Sequence, residues 1–102
     1  MTEAELQASV VECARLFGWR VAHFRPARTA HGWRTPVAAD GAGFPDLVLV
    51  RDRVVFRELK AADGRLRPEQ ATWLDALRVA GADAAVWTPG DWTGAAVEAT
   101  LR

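Results

Sequence analysis

The sequence predicts a mixed α/β sandwich. Three observations support this: apolar residues at helical spacing near the start of the chain, two consecutive strand-like apolar segments in its middle, and a second helical stripe followed by another short strand. Thr2 followed three residues later by Glu5 has the form of a capping box, and Leu6, Val10, Cys13 and Phe17 recur at helical spacing until Gly18. Residues 19–24 read as a strand, and residues 25–43, with their Pro, Gly and Ala, as a long loop. Loops of that length in small domains are commonly functional. Residues 47–50 are a continuous apolar run, as in a strand covered on both faces, and residues 54–60 form a second strand reached through Arg51-Asp52-Arg53. Together they make a hairpin. Pro68 stands at a first helical position, Trp73, Leu74, Leu77 and Ala80 supply an apolar stripe, and Gly81 is the stop. Residues 84–87 form a short strand, Pro89-Gly90 a turn, and Asp91 caps a last helix ending near Leu101. The expected order is αβββαβα, a mixed central sheet flanked by helices, in one domain spanning residues 1–102.

Half of the residues are apolar, enough to bury a core without staples. A lone cysteine, Cys13, rules out an internal disulfide framework, and no Cys/His cluster has zinc spacing, which fits a reducing compartment. The start Met-Thr-Glu lacks the pattern of a secretory signal, and no apolar run approaches the roughly 20 residues of a membrane span. A soluble, cytoplasmic protein with no membrane partner is expected. Net charge is zero, which argues against a strongly basic polyanion binder. The distribution is uneven, however: no acid falls between Glu12 and Asp40, whereas Arg15, Arg20, Arg25, Arg28 and Arg34 do, joined by His23 and His31. Such a stretch is either solvated loop or a surface for phosphates. Arg65 and Arg67, flanking the start of the second helix, extend the same track.

Side chains alternate along a strand, so Glu58 and Lys60 share one face about 7 Å apart. A three-residue hairpin loop pairs Val50 with Val54, and counting outward then sets Asp46 opposite Glu58, with Cβ atoms about 5 Å apart. A two-residue loop would shift the pairing by one and put Asp46 on the other face. Two facing carboxylates repel unless a cation joins them. Hard oxygen ligands that leave positions for water and phosphate suit magnesium or manganese rather than zinc. Lys60 cannot bind the metal while protonated, but it can orient an attacking water and offset charge on the phosphorus. It is also the single lysine of a chain with twelve arginines. Gln70 lies on the helix face continued by Trp73, Leu74 and Leu77 and needs a polar partner there; the ordinary alternative is a first-turn hydrogen bond. Trp73 and Trp87 read as core, Trp33 as a residue able to stack on a base, and Trp92 as a cover for the sheet edge or a partner subunit.

Gly43-Phe44-Pro45-Asp46-Leu47, then Glu58-Leu59-Lys60, then Gln70 resemble the signature of the PD-(D/E)XK nuclease superfamily, and specifically its VRR-NUC branch, whose small stand-alone members occur in phages and bacteria. The resemblance covers nearly the whole chain. It implies a restriction-endonuclease-like αβββαβ core and phosphodiester hydrolysis dependent on Mg2+, with Mn2+ able to substitute. It further implies metal binding by Asp46 and Glu58 with help from the Leu59 carbonyl, a water-positioning role for Lys60, and a Gln70 that partners the lysine, a water or the nucleic-acid backbone. It also implies an acid from the first helix. Glu5 is explained by the capping box and Glu12 lies off the sheet-facing side, whereas Glu3 shares that side with Leu6, Gln7 and Val10. Glu3 is therefore chosen, against a purely electrostatic role at the helix N-terminus.

The expected function is a structure-directed DNA endonuclease acting on four-way junctions, flaps or other branched DNA, with Arg25, Arg28, His31, Arg34, Arg65 and Arg67 on the phosphates and no organic cofactor. Resemblance to Holliday-junction resolvases implies a homodimer, since two strands must be cut symmetrically. One competing reading is a nucleic-acid module that has lost cleavage, against which the intact Asp46, Glu58 and Lys60 argue. The other is a sequence-reading restriction-type enzyme, for whose added segments 102 residues leave little room.

Overall fold

The computed structural model describes residues 1–24 and 27–102. Helix α1 (Glu3–Leu16) starts at the expected capping box: Thr2 Oγ1 accepts from Glu5 N at 3.1 Å and Glu5 Oε1 accepts from Thr2 N at 2.9 Å. Its buried stripe is Leu6, Val10 and Ala14, with Cys13 and Phe17 partly buried beside it. Gly18 turns the chain at φ +83°, a conformation that costs glycine little, and strand β1 (Arg20–His23) follows.

The segment expected to be loop is partly ordered. Strands β2 (Ala27–Thr29) and β3 (Gly32–Arg34) pair antiparallel as Ala27↔Arg34, Arg28↔Trp33 and Thr29↔Gly32. Three-residue arms carry no period-two apolar pattern, and the Ala30-His31 turn lacks the usual Asn-Gly or Asp-Gly pair, so pattern reading misses this hairpin.

Strands β4 (Leu47–Val50) and β5 (Val54–Leu59) form the predicted hairpin, in the register Val50↔Val54 through Leu47↔Arg57. Helix α2 (Pro68–Val79) crosses over to β6 (Asp83–Trp87), which runs parallel to β5 from Val55↔Asp83 to Leu59↔Trp87. With β1 antiparallel to β4, the sheet is mixed, in the order β1-β4-β5-β6. The Arg51-Asp52-Arg53 loop is tied down: Arg51 and Arg53 guanidinium carbons lie 4.7 and 5.1 Å from the Trp19 ring centroid. Arg51 Nη1 donates to Phe17 O at 3.0 Å and Arg53 Nη2 to Thr100 O at 2.6 Å, while Trp19 Nε1 donates to Leu101 O at 2.8 Å. These bonds satisfy carbonyls at the ends of two helices and hold the hairpin at its three-residue loop.

The chain end differs from expectation. Pro89 and Gly90 open a short helix α3 (Pro89–Thr93) instead of forming a turn, because Thr88 is extended and caps it. Asp91 stands at the third helical position, its Oδ2 accepting from Thr88 N at 2.8 Å and from Thr88 Oγ1 at 3.1 Å. Ala95 at φ +65° separates this turn from α4 (Ala96–Leu101).

Leu47, Leu49, Val55, Leu59 and Trp87 point to one face and pack with Leu6, Val10, Ala14, Val97 and Leu101, so α1, α3 and α4 cover that side. Trp92 is partly buried against this core. The alternate residues face α2, where Phe44 meets Phe56 and Trp73 edge-on, with centroids 6.1 and 5.1 Å apart. Trp73 is a clasp more than a core residue: half-buried, it donates from Nε1 to Asp40 O at 2.9 Å and fastens the preceding loop to the helix. Ala80, expected in the stripe, is exposed. Among the described residues no helix is long and apolar enough to cross a membrane.

Candidate active site

The β4–β5 register decides where the acids go. One step beyond Leu47↔Arg57 lies Asp46 beside Glu58, on the face that also carries Val48, Phe56 and Val50. The alternative of a two-residue loop, which would have separated the two acids, is excluded. Asp46 is held at both ends: its carbonyl accepts from Phe24 N at 3.0 Å, and its Oδ2 accepts from Leu59 N at 2.8 Å. Glu58 is 2% exposed and hydrogen-bonded to Asp46. Burial, followed by that hydrogen bond and the charge of Asp46, pushes the Glu58 carboxyl up to about 9, with Lys60 pulling the other way.

That arrangement suits a hard divalent cation. A buried carboxyl, Glu58, against the half-buried Asp46 needs either a proton or a cation between them, and carboxylates are the ligands such ions prefer. Glu3 flanks the pair without joining it. Burial and the charge of Asp46 raise its pKa while Lys60 lowers it, so it feels the site electrostatically. Among the described residues, no group of three or more His, Cys, Asp or Glu lies close enough to hold a metal by side chains alone. Glu5 is committed to its capping box and Glu12 is exposed on the far side of α1. Lys60 lies one residue past β5, where its N–H continues the ladder by donating to Trp87 O at 3.0 Å. The lysine is half-buried and, among the described residues, forms no ion pair.

The turn that delivers Asp46 depends on Gly43. It has φ +87°, and a Cβ there would lie 2.6 Å from both the carbonyl carbon and oxygen of Glu69, at the start of α2. Gly43→Ala should cost about 1–3 kcal/mol in stability, read by denaturant melting, and should lower activity by displacing Asp46. Wild-type melting and activity in this variant would show that the loop tolerates a shift.

Gln70 is buried, but its Oε1 accepts from Arg67 N at 2.9 Å, so the first-turn hydrogen bond is the contact observed. It also lines a cleft of about 590 Å3 that opens beside Asp46 and is bordered by Phe24, Trp33, Arg34 and Arg67. Arg67 pairs with Glu69 at 3.2 Å. A second cleft, of about 400 Å3, lies between Glu3, Gln7, His23, Trp33 and Leu59 and shares Asp46. Arg65 and His31 are exposed, outside both clefts. Arg28 is placed in β2 by its backbone, and Arg25 lies outside the described residues.

Two features escaped sequence reading. Gln7 Nε2 and His23 Nδ1 are 3.1 Å apart at the wall of the second cleft; Gln7 sits one turn after Glu3 on the same helix face, which is the signal that could have found it. Arg57 is buried on the α1 side of the sheet, 4.7 Å over the Trp87 ring and 2.8 Å from Asp83 Oδ1, and has no sequence signal beyond its charge in an apolar register.

The model of the VRR-NUC domain family matches residues 5–89 of the chain. No curated protein and no solved structure shows significant similarity to it.

Proposed function

Because the chain belongs to the VRR-NUC domain family, a nuclease-domain family of PD-(D/E)XK type, it is a nuclease acting on DNA, and we propose that it is a magnesium-dependent endonuclease directed by DNA structure. The observation that carries the reading is the pairing of the buried Glu58 with Asp46, which lines an open cleft, with Lys60 alongside. Asp46, Glu58, the Leu59 carbonyl and, at the edge, Glu3 would hold the ion, with Mn2+ able to replace Mg2+. When bound, such an ion neutralises charge on the scissile phosphate and makes a coordinated water more acidic. Lys60 orients the attacking water in line with the bond to be broken, and Gln70 borders the strand's path. Arg34, Arg65, Arg67 and His31, with Arg25 and Arg28, hold neighbouring phosphates. Branched DNA such as four-way junctions and flaps is the substrate class, in the cytoplasm of a bacterial cell or phage-infected host. Symmetric cutting of a junction calls for a homodimer. Incubation with flaps, splayed arms, four-way junctions and linear duplex in magnesium, with a chelator control, tests this; cleavage that persists in the chelator would overturn it.

Arginines that meet phosphates release counterions, so they supply affinity without sequence information. Replacing Arg25, Arg28 and Arg34 together by alanine should weaken binding to every DNA by a similar factor. The log-log salt slope should fall by about one unit for each phosphate left without its arginine. An unchanged slope in a fluorescence-anisotropy titration would mean that the hairpin and its flanks are ordinary solvated surface.

A further inference from the structure

The cleft beside Asp46 differs in character from a phosphate track. Its rim carries two cations, Arg34 and Arg67, but Glu69 also lines it and is paired with Arg67 at 3.2 Å, so little free positive charge is left inside. Its wall is aromatic. Phe24 and Phe44 line it and meet edge-on at 5.6 Å, and Phe44 is backed at 5.1 Å by Trp73, whose Nε1 donates to Asp40 O. At the mouth stands Trp33 on β3, 64% exposed, lining both clefts that meet at Asp46.

We propose that this cleft takes an unpaired nucleotide of the DNA strand being cut, with its base stacked on the Trp33 indole and its neighbouring phosphate at Asp46. The inference rests on the DNA-cleavage reading above and deepens it, giving the preference for branched DNA a physical cause. The volume, about 590 Å3, lies in the range of small-molecule sites and leaves room for a base and its sugar. A base within duplex has both faces covered by its neighbours and cannot reach the indole without being unstacked. An unpaired base at a flap or junction offers a free π-face at little cost. Stacking is indifferent to base identity, so the cleft would select structure without selecting sequence. Arg34, next to Trp33 in the same strand, is placed to meet the phosphate on the far side of the stacked nucleotide.

The test uses a flap duplex whose first unpaired nucleotide is 2-aminopurine, in chelator, so that neither metal nor cleavage enters the readout. Binding to the wild-type chain should quench the probe. Trp33→Phe should retain most of the quenching. Trp33→Ala should abolish it and bind the flap about tenfold more weakly, near the affinity for fully paired duplex. An abasic residue at the flap position should cost the wild-type chain the same factor, so the result does not depend on how the variant folds. Unchanged quenching in a folded Trp33→Ala, or equal affinity for abasic and intact flaps, would overturn the proposal. Absence of cleavage in magnesium with quenching intact would instead count against the nuclease reading and leave the stacking site standing.

Discussion

Glu58→Gln and Asp46→Asn should each abolish cleavage, by about a thousandfold or more, because an amide keeps the shape of the carboxyl and removes the charge that would offset several kcal/mol at a bound cation. DNA binding should be equal or tighter in both, since an anion near the phosphate is gone. Glu58→Gln carries a second, opposite expectation. The Glu58 carboxyl titrates at about 9 in the folded chain against 4.5 for an unperturbed glutamate, first because it is buried and next because of Asp46. Below that lower value both folded and unfolded chains hold the proton and nothing differs. Between the two values only the folded chain holds it, so the metal-free protein loses stability as pH rises through this window. Glu58→Gln removes the slope and should raise the melting midpoint at pH 8 by roughly 5–10 °C, with little change at pH 4.5. Lost activity together with gained stability is not what a damaged fold gives. Cleavage at the wild-type rate in either variant would place the chemistry elsewhere.

Lys60→Ala should lower the cleavage rate by about a hundredfold even at saturating magnesium, the usual loss for a group that positions or transfers a proton. Its charge also pulls down the pKa values of Glu58 and Glu3, so the variant should need more magnesium to reach its own maximum. The two effects separate in a metal titration of single-turnover rates. If high magnesium restores the wild-type rate, Lys60 serves only to tune the carboxylates, and its role toward water is wrong.

How much of this was legible in the sequence follows from what each feature depends on. The hairpin register was legible in part: a three-residue Arg51-Asp52-Arg53 loop pairs Val50 with Val54 and the Asp46–Glu58 pairing follows from counting, but the continuous apolar run of residues 47–50 has no phase that would exclude a two-residue loop. Helix α1 was legible from its cap and stripe. The β2–β3 hairpin was not, because its arms are too short for periodicity and its turn residues are weak signals. Helix α3 was misread because Pro89-Gly90 has the composition of a turn, and only the extended Thr88 and the bond its N–H donates to Asp91 turn it into a helix start. Gln70 was legible as a buried polar group, but its partner, the N–H of Arg67, was one of two readings that sequence left open. The aromatic cleft could not be read at all, since it joins residues from four separated segments, including Phe24, Trp33, Phe44 and Gln70.

The claim that matters most is that Asp46 and Glu58 share one cation. Calorimetric titration of Mn2+ into the wild-type chain, Asp46→Asn and Glu58→Gln, without DNA and at pH 7.5, tests it most directly. Saturable binding by the wild type that disappears in both variants, with Mg2+ competing, is the predicted result. Equal binding by all three proteins, or loss in only one of the variants, would contradict it.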